Sequence, residues 1–219
     1  MSPGRPEEMG TTVTKQARAE QTRLLLLDAA AVLLHRDGYA ATSMVDIARE
    51  AGITKGGLYF HFSSKDEICD EVQQAAVAVL NEHVEHRAQA SLPALRRLAV
   101  LGHALMGWLE TEPKVGASFR LTREMGSKDQ RYVVFSRAWF GQVRQYVADA
   151  RTAGELAGDA PPDTVALLLV VTCVGLEAVV ASGTIGPDVD LSRTLAELWR
   201  LLDPASPAWI SVVAPGVRG

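Results

Sequence analysis

The chain has 219 residues, 47% of them apolar and 22% charged, with a net charge of −4. That composition excludes a disordered chain and is sufficient for one or two compact domains with a sizeable core. The charge is uneven: Gly10 to Lys65 carries seven Lys/Arg against five Asp/Glu, and Asp66 to Gly219 carries 14 against 19, so a surface for a polyanion is expected at the front.

Residues 1–17 are polar, have no apolar stretch of the secretory type, and read as a flexible tail. Lys15 and Arg18 at its end form a basic arm that either touches phosphate or is a plain leader. From about Arg18 to Arg36 the stripe Leu24, Leu27, Ala30, Ala31, Leu34 predicts a helix closed by Gly38. Gln21, Thr22 and Arg23 at its start are within reach of a phosphate backbone.

The stretch Thr42–Lys65 is the most informative in the chain. Ser43 is a good N-cap and Asp46, three residues on, gives a variant capping box. Met44, Ile47, Ala48 and Ala51 follow at helical spacing, and Gly52 supplies the left-handed residue that ends a helix. Ile53 anchors the turn and Thr54 caps a second helix running to about His61. Two short helices joined by a Gly-containing turn describe a helix-turn-helix, whose second helix enters the major groove. On that helix Thr54, Lys55, Tyr59 and His61 are polar or cationic, with Leu58, Phe60 and Phe62 as expected anchors. Gly56 and Gly57 each cost about 1 kcal/mol against Ala, which close approach to another backbone would explain. An ordinary solvated helix pair is the plain alternative.

These residues carry a family resemblance. Gly38-Tyr39, Thr42-Ser43, Ile47-Ala48, Ala51-Gly52, the run Thr54-Lys55-Gly56-Gly57-Leu58-Tyr59-Phe60-His61-Phe62 and Lys65 resemble the DNA-binding domain of TetR-family transcriptional regulators. The resemblance implies an all-helical homodimer with an N-terminal operator-binding domain and a C-terminal effector-binding domain. Arg18, Arg23, Thr42, Ser43, Thr54, Lys55, Gly56, Gly57, Tyr59, His61 and Lys65 are the expected DNA-contacting positions.

Ser64 and Glu67 form a capping box opening a long helix, with Ile68, Val72, Ala75, Ala76 and Val79 running toward Arg87. This helix links the DNA-binding part to the rest. Glu82, His83 and His86 near its end admit a metal site through the two His, or are a solvated helix end; no third strong ligand is visible, and no metal is expected. Ser91 is expected to cap a helix to about Glu110, stopped by Pro113, with Leu105 and Trp108 on it. A short helix over about 114–124 precedes a longer one over about 128–153, closed by Gly154, with a Tyr132, Phe135, Trp139, Val143, Tyr146 stripe. A helix over about Asp163 to Ala181 is apolar nearly all round; its apolar stretch, Val165 to Val180, is interrupted by Thr172 and Glu177, is too short to span a bilayer comfortably, and reads as a buried helix. A last helix carries Leu191, Leu195, Leu198, Trp199 and Leu202. Cys69 and Cys173 lie far apart and fit core positions in a reducing cytosol.

The expected fold is thus all-α, about nine helices: a tail (1–17), a three-helix helix-turn-helix DNA-binding domain (18–63), and a ligand-binding and dimerisation domain (64–219). Leu168, Val171, Gly175, Leu195, Leu198, Trp199 and Leu202 are the expected dimer surface, because two recognition helices must be held about one DNA turn apart. A narrower resemblance, in the recognition run with the preceding Arg18 to Arg23 and in Trp139 with Gly154-Glu155-Leu156, is to the γ-butyrolactone receptor branch of actinomycetes. It implies a diffusible butyrolactone, furan or butenolide effector, with Trp139 and Thr172 in the pocket; Trp108, Phe119, Phe135 and Leu105 are the further expected lining. The usual Pro-containing loop of the branch is missing between Phe119 and Phe135. A TetR-type efflux or resistance repressor sensing an apolar compound is the alternative. Trp139 is equally readable as core, and Thr172 as bonded to its own helix.

No nucleophile elbow, zinc motif, phosphate loop or dinucleotide fingerprint is present, so no enzyme and no cofactor is expected. The acidic second domain argues against a constitutive architectural DNA binder. The expected partners are double-stranded operator DNA, a small effector and a second copy of the chain, in the cytoplasm and without a membrane.

Overall fold

A computed structural model describes residues 6–88, 92–156, 161–184, 186, 189–190 and 193–197. The elements are α1 (Pro6–Asp37), α2 (Met44–Glu50), α3 (Lys55–His61), α4 (Lys65–Ala88), α5 (Ala94–Thr111), α6 (Pro113–Met125), a 3-10 turn (Gln130–Val133), α7 (Val134–Thr152) and α8 (Pro162–Ala181). Residues 193–197 are also helical, and no strand occurs among the described residues. The fold is all-α with an N-terminal helix-turn-helix.

The first helix begins at Pro6, not at Arg18. Residues 6–17 are therefore part of that helix and not an unstructured tail. Leu24 is exposed, and the buried stripe is Leu26, Leu27, Ala30, Ala31, Leu33 and Leu34. Ser43 caps α2, accepting from the Asp46 N–H at 3.2 Å, and Thr54 caps α3, accepting from the Gly57 N–H at 3.1 Å. Gly52 between them has φ +66°, the left-handed conformation that favours glycine. On α3 the anchors are Leu58 and Phe62, both buried; Phe60 is 81% exposed. Residues i and i+4 share a helix face whereas i+2 faces away, so alternate residues cannot all anchor this helix.

Ser64 accepts from the Glu67 N–H, while the Glu67 carboxylate reaches back to the N–H and hydroxyl of Ser63. Ser91, the expected cap of α5, lies outside the described residues. The carboxylate of Glu155 accepts from the N–H groups of Ala94 and Leu95 (3.2 and 2.7 Å) and satisfies that helix start from a distant part of the chain. Pro113 opens α6 instead of only ending α5, in keeping with proline's tolerance in a first turn. The helix expected over 128–153 is split, because Asp129 caps the 3-10 turn through the Arg131 N–H before α7 starts.

Two cores result. The front core joins α1, Ile47, Ala48, Leu58 and Phe62 to Ile68, Cys69 and Val72 of α4 and to Ala117 and Leu121 of α6. The rear core joins Ala76 and Leu80 of α4, Val115 and Phe119 of α6, and α5, α7 and α8. Helices α4 and α6 thus belong to both, and the front core extends past residue 63. Helix α8 is buried on one side only: Ala166 and Cys173 lie in the rear core, whereas Leu167, Leu168, Val171, Val174 and Val179 are exposed, and Pro162–Val179 is long and apolar enough to cross a membrane by length and composition alone.

Candidate nucleic-acid interface and effector core

Helix α3 stands on Leu58 and Phe62 and turns Lys55, Gly56, Tyr59 and Phe60 outward. The Lys55 ammonium lies 5.9 Å from the centroid of the Tyr59 ring, a cation and a phenol presented together. His61 is half-buried, edge-on to Phe60 at 5.2 Å. Arg18 is exposed on α1. Arg23 is partly committed: its guanidinium pairs with Glu71 at 2.8 Å and sits over Phe62 at 5.3 Å. Ser43 and Thr54 are exposed caps whose oxygens hold their own helix starts.

Two expected DNA residues are drawn inward instead. Thr42 is buried and donates its hydroxyl to the Gly38 carbonyl at 2.8 Å. The Lys65 ammonium donates to the carbonyls of Tyr39 (2.7 Å) and Thr42 (2.9 Å) and lies 3.8 Å from the Tyr39 ring centroid. A lysine at a helix start has a long stem, and here the loop carbonyls between α1 and α2 capture its charge before phosphate does. Phe60 was not among the expected contacts; a helical wheel anchored on Leu58 would have revealed it.

The loop that Lys65 grips is also the junction with the rest of the protein. Asp66 accepts from the hydroxyls of Tyr39 (2.5 Å) and Tyr132 (2.8 Å). These two bonds hold its carboxyl below the usual carboxylate value, against a smaller opposing effect of burial, with Arg131 adding attraction. Burial first, then Asp66, pushes the Tyr132 phenol up. Glu124 of α6 accepts from the Tyr39 N–H at 2.8 Å. Its neighbour Arg120 donates to the last carbonyls of α1, those of His35 (2.9 Å), Arg36 (2.6 Å) and Asp37 (2.9 Å). Helix C-termini leave such carbonyls unpaired and carry partial negative charge, so a guanidinium is a fitting cap. Gly38, with φ +86°, leaves no room for a side chain beside Arg120 and Glu124.

One residue away, Phe119 faces the rear core. It meets Phe135 at 5.6 Å and Trp139 at 6.2 Å, both edge-on, with Leu105 in the same cluster. Trp139 is 2% exposed, and its indole N–H is buried with no hydrogen-bond partner among the described residues. Buried indoles ordinarily find an acceptor. The fully buried Gln73 braces this core by accepting from the Phe135 N–H (2.9 Å) and donating to the Tyr132 carbonyl (3.2 Å). Trp108 lies at the rim, edge-on to His83, on an open groove of about 710 Å³ lined also by Val79, Glu82, His86 and Glu112. Among the described residues no group of three or more metal-ligating side chains occurs.

Thr172 does not join this core: its hydroxyl donates to the Leu168 carbonyl one turn back at 2.8 Å. Glu177 pairs with Arg123 at 2.9 Å. Of the expected dimer residues, Leu168 (63%) and Val171 (58%) are exposed, Gly175 is half-buried, and Leu195 is buried against the chain's own rear core. Leu198, Trp199 and Leu202 lie outside the described residues. Burial pushes the thiols of Cys69 and Cys173 up to about 12, which keeps them protonated and inert.

Residues 26–72, which carry the helix-turn-helix, match the bacterial regulatory proteins of the tetR family. The chain's helix-turn-helix segment is that of a TetR-family regulator. The whole chain is 28% identical to the A-factor receptor protein of Streptomyces griseus over 208 residues, covering 94% of this chain and 68% of that protein. Over 98 residues, 45% of this chain and 44% of the relative, it is 36% identical to the transcriptional regulator AcrR of Shigella flexneri. Among solved structures, a γ-butyrolactone receptor (ArpA-like protein) superposes with a TM-score of 0.75 at 27% identity, covering 90% of this chain and 96% of that one. CprB of Streptomyces coelicolor, solved with its operator sequence, gives 0.74 at 27% identity and covers 90% and 96%. The TetR-family assignment places its function in DNA-binding transcriptional regulation.

Proposed function

We propose that this TetR-family regulator is a repressor that binds a pseudo-palindromic operator as a homodimer and is released by a small diffusible signal of butyrolactone, furan or butenolide type, controlling secondary-metabolite or antibiotic genes from the cytoplasm. The observation that carries the ligand half is the Trp139 indole N–H, buried inside an aromatic core without an acceptor among the described residues. A lactone or butenolide supplies both the apolar ring and the carbonyl oxygen that such a site lacks. The likeness to the A-factor receptor along most of the chain supports the same class. No catalytic role is assigned.

Operator contact falls to Lys55, Gly56 and Tyr59 on α3, with Arg18, Ser43, Thr54 and His61 nearby. Dimerisation falls to α8, where Leu167, Val171 and Val174 recur at four- and three-residue intervals and, with Leu168 and Val179 beside them, make one exposed apolar face. A second copy of the same face covers it by two-fold symmetry, and this reading also accounts for its membrane-like composition.

Helices α4 and α6 carry the signal. A ligand entering beside Trp139 displaces Phe119, and Arg120 on the same helix moves with it, loosening the end of α1 and the loop held by Lys65 and Asp66. The ligand favours the state with separated recognition helices; equal affinity for both would shift nothing.

A gel-shift on the duplex upstream of the protein's own gene, with and without an extract containing butanolides, tests the reading. Release by one fraction is expected, and Trp139→Ala should keep DNA binding but ignore that fraction. Unimpaired release in the variant would return Trp139 to a purely structural role. Lys55→Ala and Tyr59→Ala binding the duplex like wild type, with the same salt dependence, would sink the α3 assignment. Release by an antibiotic but not by butanolides would favour a resistance-gene regulator.

A further inference from the structure

We propose that Phe60 is a base-reading residue, seating its ring on the C5-methyl group of a thymine in the operator's major groove. The proposal rests on the reading that α3 enters that groove. Phe60 is 81% exposed, far more than any other large apolar side chain among the described residues. An aromatic left in water on a seven-residue helix contributes nothing to the chain's own core.

Its placement is specific. At 3.6 residues per turn, Gly56 and Phe60 lie about 160–200° round the helix from the anchor Leu58, at the centre of the outward face. Gly57 has an internal reason to be glycine, since a Cβ there would meet Ile53 Cγ2 at 2.9 Å and Thr54 Oγ1 at 3.2 Å. Gly56 has none: apart from its own helix backbone and chain neighbours, nothing among the described residues lies within 4 Å of where its Cβ would be. The outward face is therefore a bare patch of backbone one turn before an exposed ring. His61 braces the ring edge-on, while Lys55 and Tyr59 flank it with polar groups.

The ring has no donor for phosphate and no acceptor for a base amine. The thymine methyl is the one apolar group that a base presents on the major-groove edge. The bare backbone at Gly56 lets the helix sink far enough for Phe60 to reach it.

The test begins with a pool of random duplexes, from which the wild-type protein enriches its own binding sequence. Each thymine of the enriched duplex is then replaced in turn by deoxyuridine, which removes the methyl and keeps the base pairing. Wild type should lose about fourfold in affinity at one thymine per half-site, the effect of one buried methyl. Phe60→Ala, which is surface-exposed and should keep its helical circular dichroism, should bind thymine and uracil duplexes equally at that position. Wild-type indifference to every replacement, or a Phe60→Ala protein that discriminates as wild type does, overturns the proposal while leaving α3 a groove helix. A wild-type protein that enriches no sequence overturns the DNA reading itself.

Discussion

His103 sits on α5 with 8% exposure, and its Nδ1 is buried without a partner among the described residues. Burial lowers its pKa from the ordinary 6.5, and Asp190 opposes this only in part. The unfolded chain therefore binds the proton first as pH falls. The stability linked to the neutral ring is complete above 6.5 and is lost as pH falls through the lower folded-state value. His35, wedged against Gly116 between α1 and α6, shifts in the same direction, also mainly by burial. His103→Leu keeps an apolar volume and removes the titration, so its urea midpoint should drop less between pH 7 and pH 5 than that of wild type. Equal drops would show that His103 is not responsible. Gly56→Ala carries the opposite lesson about one residue. With open space at its Cβ, alanine should raise stability by about 0.5–1 kcal/mol in a thermal melt and weaken operator binding in a gel-shift. Higher stability with undiminished binding would remove the groove role of the bare backbone.

At the scale of elements, α6 decides how the two cores communicate. One face contributes Ala117 and Leu121 to the front core and the other Val115 and Phe119 to the rear. Arg120 adds three bonds to the end of α1 and an ion pair to Glu124 at 2.7 Å. Side-chain bonds from a charged group contribute about 1.5–3 kcal/mol, and their losses here overlap because they share one guanidinium. Arg120→Ala should therefore cost about 2–3 kcal/mol in urea unfolding, and should blunt effector-driven release more than it weakens operator binding. A variant as stable and as inducible as wild type would remove α6 from the coupling route. The helix boundaries follow local chemistry where caps are adjacent, as at Ser43, Thr54 and Ser64. They depart from it where a cap is remote, as with Glu155 at the start of α5.

For the whole molecule, the exposed apolar face of α8 sets the oligomeric prediction. Leu168→Asp combined with Val171→Asp should leave the helical content intact and convert the protein to a monomer in sedimentation velocity. Binding to a two-half-site duplex should fall about a hundredfold or more, since linked half-sites gain through effective concentration. A double variant that remains dimeric would move the interface elsewhere. On the proposed reading, an acidic chain binds DNA at its front because α4 (Lys65–Ala88) sets the acidic rear apart from the helix-turn-helix.

Read on its own, the chain specifies the helix-turn-helix, because its signals are local: caps at Ser43 and Thr54 and a left-handed Gly52. The anchors of α3 are legible only in part, since Phe60, expected among them, is exposed. The sequence also determined the all-helical class and the apolar character of α8, both matters of periodicity and composition. Only the tertiary structure decided which chemically suitable groups are free. Thr42 and Lys65 have DNA-contacting chemistry, yet the fold spends it on the Gly38, Tyr39 and Thr42 carbonyls. Thr172 likewise gives its hydroxyl to its own helix, whereas Trp139 keeps an N–H with no acceptor among the described residues. Local pattern fixes backbone conformation through neighbours a few residues apart. The fate of a long polar side chain depends on backbone groups brought to it from 23 to 85 residues away, as in the bonds of Lys65, Glu124 and Arg120, and no spacing rule encodes that encounter.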